Sequence, residues 1–354
     1  MFEELPKKGL VLLTYIFNAI IRLRYVPSAW KEAQVIMIPK PGKPTDLTSS
    51  YRPISLLPVA SKLFEKLLLK RLKPVCEREK LIPDFQYGFR NKHSTIDQVH
   101  RITSLIQKAL EEKKFCVGIF LDVAQAFDKV WHKGLMFKLQ KILSRVFCEI
   151  LKSYLSNRKF RIQQDQTTTD WYQIRAGVPQ GSILGPILFL LYTADIPMDN
   201  SSTADMFADD TAILATDDTE VTATAKIQQA VDAVNKWAAQ WKIKFNSSKS
   251  AKVTFSLRSK VLLAVTVNGK LIPQLDSVKY LGTHLDSKLN WSIKVKMKRQ
   301  QMRDRMRNLY WLVGRKSTLS LENKRLLYVS IIKPIWTYGI QLWGCASNSN
   351  VEVI

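Results

Sequence analysis

The sequence predicts an α+β protein, a mostly antiparallel sheet with helical additions. Three observations predict it. A helical region with a basic loop comes first, strands and helices then mix, and helices return at the end. Strand-like runs meet at short turns, at Asp209-Asp210 and at Asn268-Gly269, the second a strong hairpin signal. A chain of 354 residues also exceeds what one small core holds, so two or three subdomains are expected.

Taken in order, residues 1–34 carry helical periodicity that ends near Pro27. Residues 35–38 read as a short buried strand leading into Pro39-Lys40-Pro41-Gly42-Lys43-Pro44, a turn-rich basic loop. Residues 51–58 are extended, and 60–72 form a helix with Leu63, Phe64, Leu67 and Leu68 on one face. A second helix covers 95–108, residues 115–121 are a strand of β-branched and aromatic residues, and 131–154 are helical. Strands with a polar tip follow over 161–174, then a turn and an apolar helix from about Ser182. Next come a hairpin, 205–208 and 211–215 around Asp209-Asp210, and a helix over 221–241. Short strands at 252–256, 262–267 and 278–285 precede a helical, very basic segment over 290–340.

Lys and Arg number 54 against 30 Asp and Glu, a net charge of +24. Such a surplus repels itself unless a polyanion matches it. Nucleic acid is the expected partner, and an anionic membrane surface is the rival. A hydrophobic content of 46% excludes disorder, and no apolar run nears the roughly 20 residues of a membrane span, so no membrane partner is expected. Cys76, Cys116, Cys148 and Cys345 are scattered, as are His93, His100, His132 and His284, with no zinc-ligand spacing and no disulfide expected. Glu3, Glu4, Lys7 and Lys8 precede the first apolar run, unlike a secretory signal.

The candidate chemistry lies in three carboxylates. Asp209 and Asp210 sit between apolar strands at a hairpin tip, whereas nearby Asp217-Asp218 has polar neighbours and reads as a plain solvated turn. Asp122 ends the buried-looking strand 115–121, where a carboxylate is costly without a partner. Charges within about 4 Å would repel by about 4 kcal/mol per pair at an effective dielectric of 20. Protons or cations must relieve that. Hard divalent ions with oxygen ligands suit best, and two of them about 3.5–4 Å apart serve phosphoryl transfer.

The C-terminal segment supports a polyanionic substrate independently. Between Lys288 and Arg325 stand twelve Lys or Arg against only Asp304 and Glu322. Met302, Met306, Leu309 and Val313 recur at helical spacing as a buried face, and Lys296, Arg299, Arg303 and Arg307 lie on another, suited to tracking phosphates.

At this point the chain resembles the reverse transcriptase domain of non-LTR retrotransposons, in particular the jockey-type elements of insects. Three stretches carry the resemblance: Phe120-Leu121-Asp122-Val123-Ala124-Gln125-Ala126-Phe127-Asp128-Lys129-Val130-Trp131-His132, Gly177-Val178-Pro179-Gln180-Gly181-Ser182-Ile183-Leu184-Gly185-Pro186, and Phe207-Ala208-Asp209-Asp210. Tyr51-Arg52-Pro53-Ile54-Ser55-Leu56-Leu57-Pro58, Phe85-Gln86-Tyr87-Gly88-Phe89-Arg90, residues 246–249 and Tyr280-Leu281-Gly282 support them, all in the family's order. Phe207 stands where many relatives carry Tyr.

The resemblance implies roles. Asp122 and Asp209 would ligate two Mg²⁺ ions, with Asp210 the auxiliary carboxylate. Phe127 would be the aromatic gate that excludes a 2′-hydroxyl, with core packing as the bland alternative. Gln180 and Gly181 would lie along the incoming nucleotide and template base, and Lys40 and Arg52 would hold the triphosphate. Lys249 would protonate pyrophosphate, and Tyr280, Leu281 and Gly282 would form the primer grip. The fold implied is a right-hand polymerase: fingers over 1–110, palm with finger insertions over 111–285, and a helical thumb with a truncated C-terminal connection over 286–354. The function implied is RNA-directed DNA polymerisation on an RNA template and DNA primer with dNTPs, in the nucleus or cytoplasm.

Two rivals remain at this point. One is an inactive nucleic-acid-binding fragment, since relatives carry an endonuclease domain that this chain has no room for and continue past Trp343-Gly344-Cys345. The other is a group II intron-type or viral RNA polymerase, against which Phe127 argues.

Overall fold

The computed structural model describes residues 5–164, 166–198, 201–344, 346, 349 and 352. Glu3, Glu4 and Cys345, used in the reading above, lie outside them. Helix α1 (Lys7–Leu23) is followed by β1 (Glu32–Pro39), β2 (Tyr51–Leu56), α2 (Val59–Arg78), α3 (Thr95–Glu111) and β3 (Phe115–Leu121). Then come α4 (His132–Ile142), α5 (Arg145–Leu155), β4 (Arg158–Gln164), β5 (Thr167–Thr168), β6 (Tyr172–Ile174) and α6 (Gly185–Thr193). The hairpin of β7 (Thr203–Phe207) and β8 (Asp210–Asp217) leads to α7 (Glu220–Gln240) and β9 (Ala251–Phe255). Two small hairpins, β10 (Thr266–Val267) with β11 (Lys270–Leu271) and β12 (Ser277–Tyr280) with β13 (Thr283–Asp286), precede the last helices. These are α8 (Ser292–Val313), α9 (Leu321–Leu327), α10 (Lys333–Thr337) and α11 (Ile340–Trp343).

The chain divides into two compact units. The first comprises Met1–Phe89, Val123–Ile196 and Lys236–Lys244, and the second Arg90–Asp122, Pro197–Asn235 and Phe245–Ile354. In the first unit β1 pairs antiparallel with β2 and parallel with β4, which also carries β6. Phe64, Leu68 and Leu72 of α2 are buried, as are Leu135 and Leu139 of α4 and Leu151 of α5. Helix α6 is apolar on every side and buried throughout, as such a helix must be.

The second unit is built on an antiparallel sheet in the order β7-β8-β3-β9. All seven residues of β3 are buried, because a central strand covered on both faces wants apolar side chains throughout. Gly118 thins its middle, where a Cβ would lie 3.3 Å from the Phe255 ring. Val99, Ile102 and Ile106 of α3 join Phe120, Val253, Phe255 and Leu285 in one core. Among the described residues no helix is long and apolar enough to cross a membrane.

Several local expectations change. Residues 131–154 form two helices, since Leu143 is extended (φ −117°, ψ 155°) and the apolar spacing reads across the break. Helix α2 continues through Pro74 to Arg78, because burial of Leu72 and Cys76 outweighs the lost hydrogen bond. Residues 278–285 are a hairpin, with Leu281 at φ 44° and Gly282 at φ 75°. Of residues 262–267 only Thr266–Val267 is a strand. Helix α8 buries only Lys294 and Val295, so the expected buried face is not fully covered: Met302, Leu309 and Val313 are half-buried and Met306 is 43% exposed.

An ion pair between a half-exposed arginine and a buried aspartate ties α3 to β7. Arg101 Nε lies 2.9 Å from Asp205 Oδ1, a charge contact that falls short of an aligned hydrogen bond. Burial pushes the Asp205 carboxyl up to about 7, against the pull of Arg101. A carboxyl raised on folding gives stability that is full below its unfolded pKa, about 3.9, and is lost as pH rises through the folded value. Asp205→Asn is expected to flatten the fall of Tm between about pH 4 and pH 7 in thermal melts. An unchanged slope would mean that Asp205 does not titrate in that window.

Candidate active site

In the second unit the sheet delivers the three carboxylates to one end. Leu121 pairs with Thr211, so the next residues along, Asp122 and Asp210, continue the register. Phe207 pairs with Asp210, which makes Ala208-Asp209 the two-residue turn and places Asp210 at the head of β8. That corrects the expected turn at Asp209-Asp210. The fold requires it, because the turn closes with Ala208 at φ 59°, a left-handed conformation costing an L-residue roughly 1–2 kcal/mol. Strain of this kind sits where the surroundings over-determine the backbone, and Ala208 is buried.

The backbone of Asp122 is clamped from the other side. Its N–H donates to Ser250 Oγ (3.1 Å), and its carbonyl accepts the Asn246 N–H (2.8 Å). Ser250 Oγ in turn donates to the Asn246 carbonyl at 2.8 Å. Ser250 is buried and was missed by the sequence reading. The available signal was a polar run, Asn246-Ser247-Ser248-Lys249-Ser250, directly before an apolar strand. Lys249 itself is exposed, and its side chain is not drawn into this clamp.

The electrostatics identify the cluster. Burial raises the Asp209 carboxyl, and the Asp122 charge raises it further. Asp210 is pushed up to about 6 by desolvation, then by Asp209 and Asp122. Asp122 thus acts on both Asp209 and Asp210, and among the described residues no lysine or arginine lowers either carboxyl. Among the described residues no three His, Cys, Asp or Glu side chains form a ready-made metal cage. The donor set still fits a hard divalent ion, which is commonly held by one or two carboxylates with waters and substrate phosphates completing its shell.

Tyr280, Leu281 and Gly282 form the braced turn of the β12–β13 hairpin. Tyr280 is buried against Phe120 (ring centroids 5.3 Å), and its hydroxyl donates to the Asp205 carbonyl at 3.5 Å. Tyr338 donates its hydroxyl to the Leu281 carbonyl (2.8 Å) and meets Thr95 Oγ1 at 3.0 Å. Lys294, buried, donates to the Gly282 carbonyl (2.8 Å) and Thr283 Oγ1 (3.2 Å), and burial then Lys298 and Lys279 lower its pKa to about 8. The sequence reading placed no weight on Lys294, because one lysine among twelve basic residues carries no separate mark.

The first unit holds the remaining expected residues. Phe127 stacks on Phe189 (4.8 Å, 25°) and meets Phe89 edge-on at 6.1 Å. Gln180 donates from Nε2 to both Asp128 oxygens at 3.1 Å, and its carbonyl accepts the Ser55 N–H at 2.7 Å. Gly181 has φ 107°, and a Cβ there would lie 2.7 Å from the Ser55 carbonyl, so only glycine fits. Lys40 Nζ donates to the Ser49 carbonyl at 2.8 Å, folding onto its own loop, while Arg52 is exposed. Glu65, fully buried, accepts the N–H groups of Ile183 (2.8 Å) and Leu184 (3.2 Å) and so fixes the entry to α6. A carboxylate on the apolar stripe of α2 was the overlooked signal. Beside Gln180 a cavity of about 330 Å³ opens, walled by Val35, Met37, Phe160 and Ile162 with Asp128 at its polar edge.

Residues 38–285 match the model of the family described as reverse transcriptase (RNA-dependent DNA polymerase). The chain belongs to this family. It is 40% identical, over 99% of its length and 40% of the relative's, to the probable RNA-directed DNA polymerase from transposon BS of Drosophila melanogaster. It is likewise 40% identical over 99% of its length to the RNA-directed DNA polymerase from mobile element jockey of the same organism, covering 39% of it. The chain thus spans about two fifths of the length of these curated relatives. Among solved structures it is similar to telomerase from Candida albicans in complex with a fragment of telomeric RNA, with a TM-score of 0.52, 12% identity, and 93% of this chain and 64% of that one covered. Telomerase from Candida tropicalis gives 0.51 at 14% identity, with 90% and 54% covered. That likeness establishes the right-hand polymerase fold. Reverse transcriptases as a family use divalent metal ions.

The bracing of the 280–282 turn yields a measurable expectation. Tyr338→Phe removes the hydrogen bond to Leu281 and should lower stability by roughly 0.5–1.5 kcal/mol in urea unfolding. No loss would mean that the turn holds without Tyr338.

Proposed function

We propose that this chain is the polymerising part of a non-LTR retrotransposon protein, an RNA-directed DNA polymerase that adds deoxynucleotides to a primer 3′-end on an RNA template. The observation that carries the reading is the convergence of Asp122, Asp209 and Asp210 at one end of the β7-β8-β3-β9 sheet. In this reading residues 1–110 act as fingers, 111–285 as palm and 286–354 as thumb.

Asp122 and Asp209 would hold two Mg²⁺ ions, and Asp210 would assist as the auxiliary carboxylate. When bound, such ions activate an attacking 3′-oxygen and neutralise charge on the leaving pyrophosphate. The protein does the rest by position. The Ser250–Asn246 clamp fixes Asp122, and the strained Ala208 fixes Asp209. Phe127, held by Phe189 and Phe89, sets a flat wall against a 2′-hydroxyl. Lys40 and Arg52 bind the triphosphate, Gln180 and Gly181 lie along the nucleotide, and Lys249 supplies a proton to pyrophosphate from its exposed position. Tyr280, Leu281 and Gly282 hold the primer. The +24 charge and the exposed Lys296, Arg299, Arg303 and Arg307 suit a phosphate backbone read by shape.

Primer extension on an RNA template with dNTPs and Mg²⁺ tests the reading. Wild-type protein should extend, and Asp209→Asn should lower extension by several orders of magnitude while duplex binding, measured by fluorescence anisotropy, stays nearly intact. An inactive nucleic-acid-binding remnant would bind the duplex and extend nothing.

The sugar gate gives a second outcome. Phe127→Val opens space, so ribonucleotide incorporation relative to deoxynucleotide should rise in single-nucleotide kinetics. Unchanged discrimination would leave Phe127 as a packing residue between Phe189 and Phe89.

A further inference from the structure

The segment that follows Phe127 and the segment that carries Gln180 are sewn together. Val178 donates its N–H to the Phe127 carbonyl and Gly177 to the Val130 carbonyl, both at 2.8 Å. His132 Nε2 lies 2.7 Å from the Gly177 carbonyl. Gly177 has φ 93°, and a Cβ there would come 2.6 Å from the Asp128 carbonyl, so the two backbones touch as closely as backbones can. On its other flank Gln180 is fixed by the Ser55 N–H on its own carbonyl. The backbone at Gln180 is therefore tied on both flanks. What remains free is its terminal torsion, which for a glutamine is broad and roughly two-fold. A half-turn exchanges a hydrogen-bond donor for an acceptor.

Asp128 removes that freedom. An ionised carboxylate only accepts, so it must face the amide nitrogen, and the equal distances of 3.1 Å to its two oxygens show one N–H shared between them. The amide oxygen then points away from Asp128. Resting on the polymerase reading above, we propose that Asp128 is a positioning residue that sets the polarity of Gln180, so that Gln180 presents its carbonyl oxygen to a donor on the incoming nucleotide. The donor class is a sugar hydroxyl or a base amino group, since the triphosphate offers none at neutral pH. Asp128 adjoins Phe127 in sequence, so the sugar wall and the oriented amide are set by one short segment.

The proposal makes the two side chains a unit, and a double-mutant cycle reads units. Asp128→Asn can donate as well as accept, so it lets the amide turn. It should raise the KM for dNTP about three- to tenfold, as expected for one misdirected hydrogen bond, with kcat changed little. Asp128→Ala, which leaves the amide unheld, should behave alike, and because Asp128 is exposed both variants should keep the wild-type Tm. In a Gln180→Met background, which keeps the length and removes the amide, Asp128→Asn should add no further KM penalty. An unchanged KM in both Asp128 variants, or penalties that simply add in the Gln180→Met background, would overturn the assignment while leaving the polymerase intact. A wild-type protein that extends no primer would overturn the polymerase reading first, and the assignment with it.

Discussion

Three like charges have to be held at one end of a sheet that would rather keep them apart. Much of the second unit can be understood as the means of holding them. The entirely buried β3 fixes Asp122 from behind, the register with β8 sets Asp210 beside it, and a turn closed through a strained Ala208 brings in Asp209. Burial first, and then the neighbouring carboxylate charges, raise the proton affinity of Asp209 and Asp210. A site at rest in this condition is primed to take up positive charge.

The parts of this arrangement that the sequence disclosed are those governed by local pattern. Residues 115–121 read as a strand and are one, and the apolar flanks of Asp209 gave the hairpin because short apolar runs between polar turns read as buried strands in any context. What the sequence hid depends on partners distant in the chain. The turn shifted by one residue because closure is decided by pairing of Phe207 with Asp210, which no local signal marks. Residues 278–285 looked like one strand because apolar and β-branched residues lie on both sides of Leu281 and Gly282, and the positive φ values there break it. Ser250, Glu65 and Lys294 act through backbone groups that become neighbours only on folding.

Buried polar groups are placed where backbone must be fixed rather than where volume must be filled. Glu65 satisfies the N–H groups ahead of α6, Ser250 bridges Asp122 to Asn246, and Lys294 with Tyr338 secures two consecutive carbonyls of one turn. Each replaces a missing ladder bond at a place where regular structure ends, which is where an unmet backbone group would otherwise be costly. The segments so fixed are those that carry the expected site residues. Helix α8 shows the contrary case, long and basic, with little more than its first turn buried.

The interleaving of the two units has a consequence for how the protein is made. Strand β3 lies at Phe115–Leu121, yet its partners arrive only with Asp210–Asp217 and Ala251–Phe255. The first unit likewise waits for Lys236–Lys244. On the ribosome an apolar strand with both edges open must therefore persist until Asp210–Asp217 has followed it. Non-local pairing of this kind is slow, and an unpaired strand edge is a template for aggregation. Nascent chains should lean on chaperones until β9 emerges, and no contiguous fragment that stops short of it can complete the central sheet.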